Sequence, residues 1–201
     1  MQNELNLSKE QQRRGRMIFL MMAIFFIIPI VVVVVMIKLD WRPSGQSLGE
    51  LVNPPRLLAT QPTLKDHQGN PLPTFWNEKW NMVFVAEQCE AVCMSKLHDM
   101  RQIHVSTYKE IMRVQRVLIT QQTNVDEIVR RYPDMLIVNQ PTSNVADLAT
   151  QFNIADEQAL SANRTYLVDP LGHVMMSYQP STPAANIRKD LVRLLKFSWA
   201  G

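Results

Sequence analysis

Cys89 and Cys93 are the residues whose type and spacing point most directly to chemistry. They are the two cysteines of the chain, and they follow the apolar run of residues 82–86 and precede a helix-like segment. A cysteine at the amino end of a helix is shifted toward thiolate, because the helix dipole and the unpaired N–H groups favour negative charge. The pair therefore predicts a reactive or metal-binding dithiol.

An inert pair of core cysteines is the alternative for Cys89 and Cys93. Free cysteine is among the most buried residue types and often behaves as a small hydrophobe. If the helix begins near Cys89, a spacing of four places both sulfurs on one helical face, where they can bond each other or share a soft ion. A soluble core rarely places its two thiols together at a strand-to-helix junction, so the dithiol interpretation is favoured.

The elements around the cysteines alternate between strands and helices. We predict a buried strand over residues 81–86 and then a helix over 89–108, with apolar residues at helical spacing. The later segments are predicted as strand 114–120, helix 126–131, strand 135–139, helix 144–152 capped by Ser143 or Asn144, a hairpin of strands 165–168 and 173–178, and helix 183–197. An N-terminal hairpin is predicted from strand 57–64 and the turn 66–70. This order predicts an α/β layered sheet with a parallel centre.

The amino-terminal third of the chain predicts a membrane anchor. Residues 17–37 carry no charge and one proline, Pro29, and at about 1.5 Å per residue they can cross a hydrocarbon core of about 30 Å. A cleaved signal peptide would have a shorter apolar region and a small-residue cleavage site. We therefore predict a short disordered tail over 1–16, a transmembrane helix over 17–37, a linker over 38–55 and one globular domain over 56–201.

The charges that flank the apolar run predict its orientation. Four cations precede it, namely Lys9, Arg13, Arg14 and Arg16, whereas Lys38 and Arg42 follow it and are joined by Asp40. The excess of Lys and Arg places the N-terminus in the cytoplasm and the C-terminal domain on the outer side, which in a bacterium is the oxidising periplasm.

The overall composition fits one anchored domain. A chain of 201 residues that is 46% hydrophobic can bury one full core after the membrane segment is removed. The formal net charge of +3 is small, and it argues against nucleic acid as a partner.

Three segments carry a resemblance to the SCO family of the thioredoxin-like fold. They are residues 79–85 (KWNMVFV), the pair Cys89-x-x-x-Cys93 and residues 166–172 (YLVDPLG). The chain resembles, more narrowly, the SCO-like transmembrane thioredoxin-domain proteins found beside cytochrome oxidase genes in proteobacteria. Residues 51–56, 100–102 and 113–117 carry that second resemblance.

The resemblance implies a fold, a location and a role. The implied fold is thioredoxin-like, with a central sheet flanked by helices and one N-terminal transmembrane helix. The implied location is a bacterial inner membrane, crossed once. The implied role is assembly of the copper centre of cytochrome c oxidase, with an oxidase subunit or a copper chaperone as partner and copper as the metal.

The resemblance also assigns the site to Cys89 and Cys93, both as catalytic thiols and as copper ligands. The third ligand of the SCO pattern, a histidine, corresponds to Ser161. Met94 is an alternative soft ligand, whereas the histidines are weaker candidates: His67, His98, His104 and His173. The cis-proline of thioredoxin-like reductases is also absent near 163–164, and Arg164 would favour a thiolate if it faced the site.

Three functions follow from this set of residues and remain open. In the first, the protein is a thiol-disulfide oxidoreductase in which Cys89 attacks a disulfide and Cys93 resolves it. In the second, it carries Cu(I) transiently between the two thiolates. In the third, it is a non-catalytic, membrane-tethered binding module with a structural disulfide.

Overall fold

The structure is a computed structural model that describes residues 2–39 and 47–197, with side chains from Arg13 onward. The chain divides into two compact units, Met1–Gln46 and Ser47–Gly201. The predicted linker residues 40–46, including Trp41 and Arg42, lie outside the described residues.

The first unit contains helix α1 (Gln2–Lys38), with Pro29 inside it. Its segment Arg13–Lys38 has a mean hydropathy of 3.3 and is long and apolar enough to cross a membrane. The helix begins well before residue 17, so the expected disordered tail over 1–16 is wrong for residues 2–16. The segment contains many Glu, Gln, Leu, Lys and Arg residues, which all have high helix propensity.

In the second unit, seven described strands form one sheet in the order β1-β7-β6-β3-β4-β5-β2. The strands are β1 (Glu50–Leu57), β2 (Lys65–Asp66), β3 (Trp80–Ala86), β4 (Val114–Thr120), β5 (Leu136–Gln140), β6 (Thr165–Val168) and β7 (His173–Tyr178). β3, β4 and β5 are mutually parallel, whereas β6 and β7 form an antiparallel hairpin that continues the sheet from β3. The predicted α/β sheet with a parallel centre and the predicted C-terminal hairpin are thus confirmed.

The predicted N-terminal hairpin is wrong. β1 pairs with β7 at one edge of the sheet, and β2 pairs with β5 at the opposite edge. β1 also begins at Glu50, within the segment predicted as linker. Pro54 and Pro55 made this segment look like a linker, but proline is tolerated on an edge strand because one side of such a strand has no ladder to complete.

Every residue of β3 is buried, because helices cover both faces of the sheet. The described helices of this unit are α2 (Ala91–Val105), α3 (Asp126–Arg131), α4 (Thr142–Thr150), α5 (Ala159–Ala162) and α6 (Ala184–Phe197), with a 3-10 helix at Tyr108–Arg113. Phe84 packs in a cluster with Leu97 of α2 and Leu191 of α6, whereas Val83 packs on the other face with Leu148 of α4. The alternation of side chains along β3 therefore builds two cores and fixes the position of the segment that follows it.

Several details of the helices differ from the prediction. α2 covers Ala91–Val105 and not 89–108, so Cys89 precedes it, and a 3-10 helix follows at Tyr108–Arg113. α4 begins at Thr142 with Pro141 as its N-cap, and not at the predicted cap Ser143 or Asn144. The hydroxyl of Ser143 instead contacts the side chain of Asn144. The short helix α5 was not predicted, since four residues are too few to show helical periodicity.

Candidate functional site

The two cysteines are joined by a disulfide bond, with their Cα atoms 5.0 Å apart. Cys89 lies in the loop after β3, just before the N-cap residue of α2, Glu90, and Cys93 lies in the first turn of α2. The predicted pairing of the two sulfurs at a strand-to-helix junction is therefore what the structure shows.

The two sulfur-bearing residues differ in their access to solvent. Cys93 is 2% exposed and belongs to the core cluster that contains Leu97 and Met100. Cys89 is half-buried and only packs against the rim of that cluster. An incoming thiolate would therefore meet the Cys89 sulfur first, and Cys93 would be the leaving or resolving group.

The amino end of α2 lies at the dithiol and has no side-chain cap from its N-cap residue. Glu90 makes no side-chain capping bond, and the first turn carries no acidic residue. The carboxylate of Glu90 therefore does not occupy the first N–H groups of the helix, and the positive end of the helix dipole lies beside the dithiol.

Backbone and side-chain hydrogen bonds join the cysteine loop to the end of β4. The N–H of Cys89 donates to Oε1 of Gln122 at 2.8 Å. The hydroxyl of Thr120, the last residue of β4, donates to the carbonyl of Glu87 at 3.1 Å. These polar residues were missed in the sequence, although Thr120 could have been found as a polar residue that ends an apolar strand on the same sheet edge as the cysteines.

Within the part of the chain that the structure describes, no histidine or carboxylate joins the dithiol into a larger donor group. Among the described residues, no cluster of three or more His, Cys, Asp and Glu side chains could hold a metal ion. Ser161 is exposed on α5, and its hydroxyl donates to the carbonyl of Gln158 at 3.2 Å. Met94 is partly buried against the core cluster. After reduction, the pair would thus offer copper two thiolates, a set suited to Cu(I) in a near-linear site.

The histidines have other surroundings. His104 Nε2 lies 3.1 Å from the carbonyl of Ile111 and 3.0 Å from that of Val114. His173 Nδ1 lies 3.0 Å from a carboxylate oxygen of Asp169 in the β6–β7 turn. His98 is exposed on α2, and His67 lies in the turn after β2.

Arg164 is committed to two carboxylates. Its guanidinium donates to Glu157 and to Glu50, each at 2.6 Å. The hydrogen bond with Glu157 raises the pKa of Arg164 and lowers the pKa of Glu157, while Gln179 and Arg164 together lower the pKa of Glu50. The positive charge is therefore balanced locally, and the suggestion that Arg164 favours a thiolate gains no support.

The fold and the site together define a class: a thioredoxin-fold protein with a Cys-x-x-x-Cys disulfide and a helix of membrane-spanning length. Residues 80–198 match the family described as transmembrane-like, thioredoxin-like, C-terminal domain. The chain belongs to this family. A search of curated proteins returned no match.

Solved structures of Sco proteins are similar in fold. Copper-bound ScoI of Arabidopsis thaliana is 16% identical, with a TM-score of 0.56, and the alignment covers 70% of this chain and 99% of that one. BsSco, a member of the Sco family of cytochrome c oxidase assembly proteins in which a disulfide switch was identified, is 14% identical, with a TM-score of 0.54 and coverage of 75% and 99%. Apo Sco1 of Thermus thermophilus is 19% identical, with a TM-score of 0.56 and coverage of 77% and 99%. The thioredoxin-like fold expected from the sequence is thus confirmed.

Proposed function

We propose that this protein assists assembly of the copper centre of cytochrome c oxidase by thiol-disulfide exchange at Cys89 and Cys93. The observation that carries the proposal is the disulfide between a half-exposed and a buried cysteine at the carboxyl edge of the sheet. The Sco proteins of the same fold support the role, since one of them is an oxidase assembly protein with a disulfide switch.

The reaction starts from the reduced dithiol. The Cys89 thiolate attacks one sulfur of a partner disulfide, which forms a mixed disulfide and releases the partner's other sulfur as a thiolate. The Cys93 thiolate then attacks the Cys89 sulfur, which closes the Cys89–Cys93 disulfide and releases the second partner thiolate. Two electrons pass to the partner, which is left as a dithiol able to receive copper, and the bonded pair is the product state.

The proposed setting is the periplasmic face of a bacterial inner membrane. The helix within Arg13–Lys38 anchors the protein, and the excess of cations before the apolar run keeps the N-terminus in the cytoplasm. The dithiol then lies in the oxidising compartment, where an oxidase subunit or a copper chaperone is its partner.

Trapping of the mixed disulfide tests the exchange. We expect the reduced full-length Cys93→Ala variant to give a mixed disulfide with an oxidised dicysteine peptide when the reaction is quenched by alkylation of the peptide's released thiol, because Cys89 attacks and the protein keeps no resolving thiol. The matched Cys89→Ala variant should form far less, since the remaining sulfur at Cys93 is buried. Equal trapping by both variants, or trapping by neither, would contradict the proposed roles.

Transient carriage of Cu(I) is the second candidate, and the nearness of the two sulfurs favours it. It requires prior reduction, because a disulfide sulfur is not a thiolate ligand. Titration of the reduced protein with Cu(I) against a competing chelator tests it. Binding no tighter than that of a variant lacking both cysteines would remove this candidate.

The reduction potential of the pair distinguishes the third function, a binding module with a structural disulfide, from the other two. A potential below about −300 mV is typical of structural disulfides in proteins outside the cytoplasm. A potential above that value would support thiol-disulfide exchange.

A further inference from the structure

Gln122 lies beside the dithiol, in the loop that follows β4. Its side-chain oxygen accepts the N–H of Cys89 at 2.8 Å, across 33 positions of sequence. This contact acts on the backbone of Cys89, the cysteine that the proposed function places first in exchange. It therefore bears on where that sulfur sits relative to Cys93.

Three further hydrogen bonds hold Gln122 itself. Its Nε2 donates to the carbonyl of Asn124 at 2.6 Å, and its backbone N–H donates to the hydroxyl of Thr120 at 3.2 Å. Its carbonyl accepts from Nδ2 of Asn139 at 3.2 Å. The side chain, the N–H and the carbonyl of Gln122 are thus all held, by its own loop and by the sheet.

The groups that hold Gln122 belong to the rigid part of the fold. Thr120 ends β4 and is fully buried, and Asn139 lies in β5 and is 2% exposed. Thr120 also donates to the carbonyl of Glu87, two residues before Cys89. Two separate bonds therefore tie the cysteine loop to the end of the neighbouring parallel strand β4 and to the loop that follows it.

We propose that Gln122 is a positioning residue that sets the redox equilibrium of the Cys89–Cys93 pair. The inference rests on the proposed function for its biological meaning. Neither sulfur takes part in the bonds that Gln122 makes, so we expect these bonds to remain when the disulfide is opened. They then keep the Cys89 thiol close to Cys93, which has a fixed place in the first turn of α2. A high effective concentration of one thiol at the other favours closure of the disulfide.

The redox step itself is a two-electron exchange with a dithiol reductant. One thiolate of the reductant attacks a sulfur of the pair, and its second thiolate then closes the reductant's own disulfide, leaving Cys89 and Cys93 as thiols after uptake of two protons. Without the Gln122 contact, the disulfide bond should still hold the cysteine loop in the oxidised protein. In the reduced protein, the loop should become more mobile. Reduction should therefore become more favourable.

The test is the reduction potential of the full-length Gln122→Met variant in detergent. Methionine has a similar length and removes the oxygen that accepts from Cys89. Equilibration in dithiothreitol buffers of graded ratio, followed by alkylation and mass measurement, gives the potential. We expect the equilibrium constant for reduction to rise about tenfold, which corresponds to about 30 mV.

The matched control is Gln121→Met. Gln121 is the same residue type at the adjacent position and is also half-buried, and within the described part of the chain its side chain makes no hydrogen bond. The Gln121→Met variant should have an equilibrium constant for reduction within twofold of the wild-type value. A second variant, Thr120→Val, keeps the side-chain shape and removes the bond to Glu87, and it should shift the potential in the same direction as Gln122→Met.

The possible results separate this inference from the proposed function. A Gln122→Met protein that is folded and has the wild-type potential overturns the inference, as does an equal shift in Gln121→Met. If Gln122→Met will not fold, an unchanged potential in Thr120→Val overturns it. If the wild type fails to react with the dicysteine peptide while Gln122→Met still shifts the potential, the exchange function fails and the positioning role stands.

Discussion

Reduction of the Cys89–Cys93 disulfide should lower the free energy of unfolding by about 2 kcal/mol. The two cysteines are separated by 4 positions, so the bridge closes a loop of about five residues. In the chain-entropy description this loop removes about 7 cal/mol/K from the unfolded ensemble, or about 2 kcal/mol at 25 °C. The value is near the lower end for disulfides because the loop is short, and it would accompany a fall in Tm of about 4–8 °C.

Tryptophan emission during urea unfolding measures this difference. Trp76 and Trp80 are 7% and 4% exposed in the described globular unit, so their emission should shift to longer wavelength when that unit unfolds. The full-length protein is compared in detergent with and without dithiothreitol. The control is the Cys89→Ala variant, which cannot form the bridge and should give the same unfolding curve in both conditions.

The same measurement bears on the redox chemistry through a thermodynamic cycle. If the bridge stabilises the fold by about 2 kcal/mol, the fold stabilises the bridge by the same amount, which is about 40 mV relative to the unfolded chain. A modest coupling of this size allows the pair to open and close without loss of the fold. No change on reduction would refute the loop-entropy reasoning, and a loss above about 4 kcal/mol would identify a structural bridge.

Two further predictions concern turns that frame the sheet. Gly69 and Gly172 both have positive φ, but a Cβ on Gly69 meets open space whereas one on Gly172 would lie 2.7 Å from the ring of Trp76. We expect Gly69→Ala to cost about 1 kcal/mol and Gly172→Ala about 2–4 kcal/mol by urea unfolding, and equal costs would contradict the clash. Burial raises the pKa of Asp66, but hydrogen bonds from Asn70 and Gln68 outweigh it and leave the pKa below its ordinary value of 3.8. Its contribution to stability is therefore present above pH 3.8 and lost as the pH falls through the lowered value. Asp66→Ala should cost about 1–3 kcal/mol at pH 7 and progressively less below pH 4, and a cost independent of pH would oppose this assignment.

The central part of the fold could be predicted because its signals are local. β4 has the predicted bounds Val114–Thr120, since an apolar run bounded by polar residues is typical of a buried strand. The β6–β7 hairpin was predicted from its turn, where Asp169 accepts the N–H groups of Leu171 and His173 and Gly172 has positive φ. These features depend on a few neighbouring residues, so the sequence displays them directly.

The edges of the sheet could not be predicted, because their pairing is a tertiary property. β1 lies on β7 and β2 on β5, partners that are far away in sequence. The two prolines of β1 indicate a linker when they are considered alone. Only an edge position, where one side of the strand needs no ladder partner, accommodates them in a strand.

The candidate site shows the same division between local and tertiary information. The two cysteines were found from their spacing and their position after a buried strand. Gln122 was missed because its contact with Cys89 spans 33 positions and involves a backbone N–H, which has no signature in the sequence. Arg164 was considered for the site, but its contacts with Glu157 and Glu50 balance its charge elsewhere.

The unequal exposure of the two cysteines favours thiol-disulfide exchange over copper carriage as the function. In exchange, an accessible sulfur that attacks and a sheltered sulfur that resolves have different tasks, and the half-exposed Cys89 and the buried Cys93 fit them. A two-thiolate carrier must instead present both sulfurs to the ion and then to an incoming ligand, which the burial of Cys93 hinders. Among the described residues, no third His, Cys, Asp or Glu side chain groups with the pair to hold copper after one sulfur is released. A dithiol that prepares the partner's cysteines for copper therefore makes fuller use of this geometry than one that carries the ion.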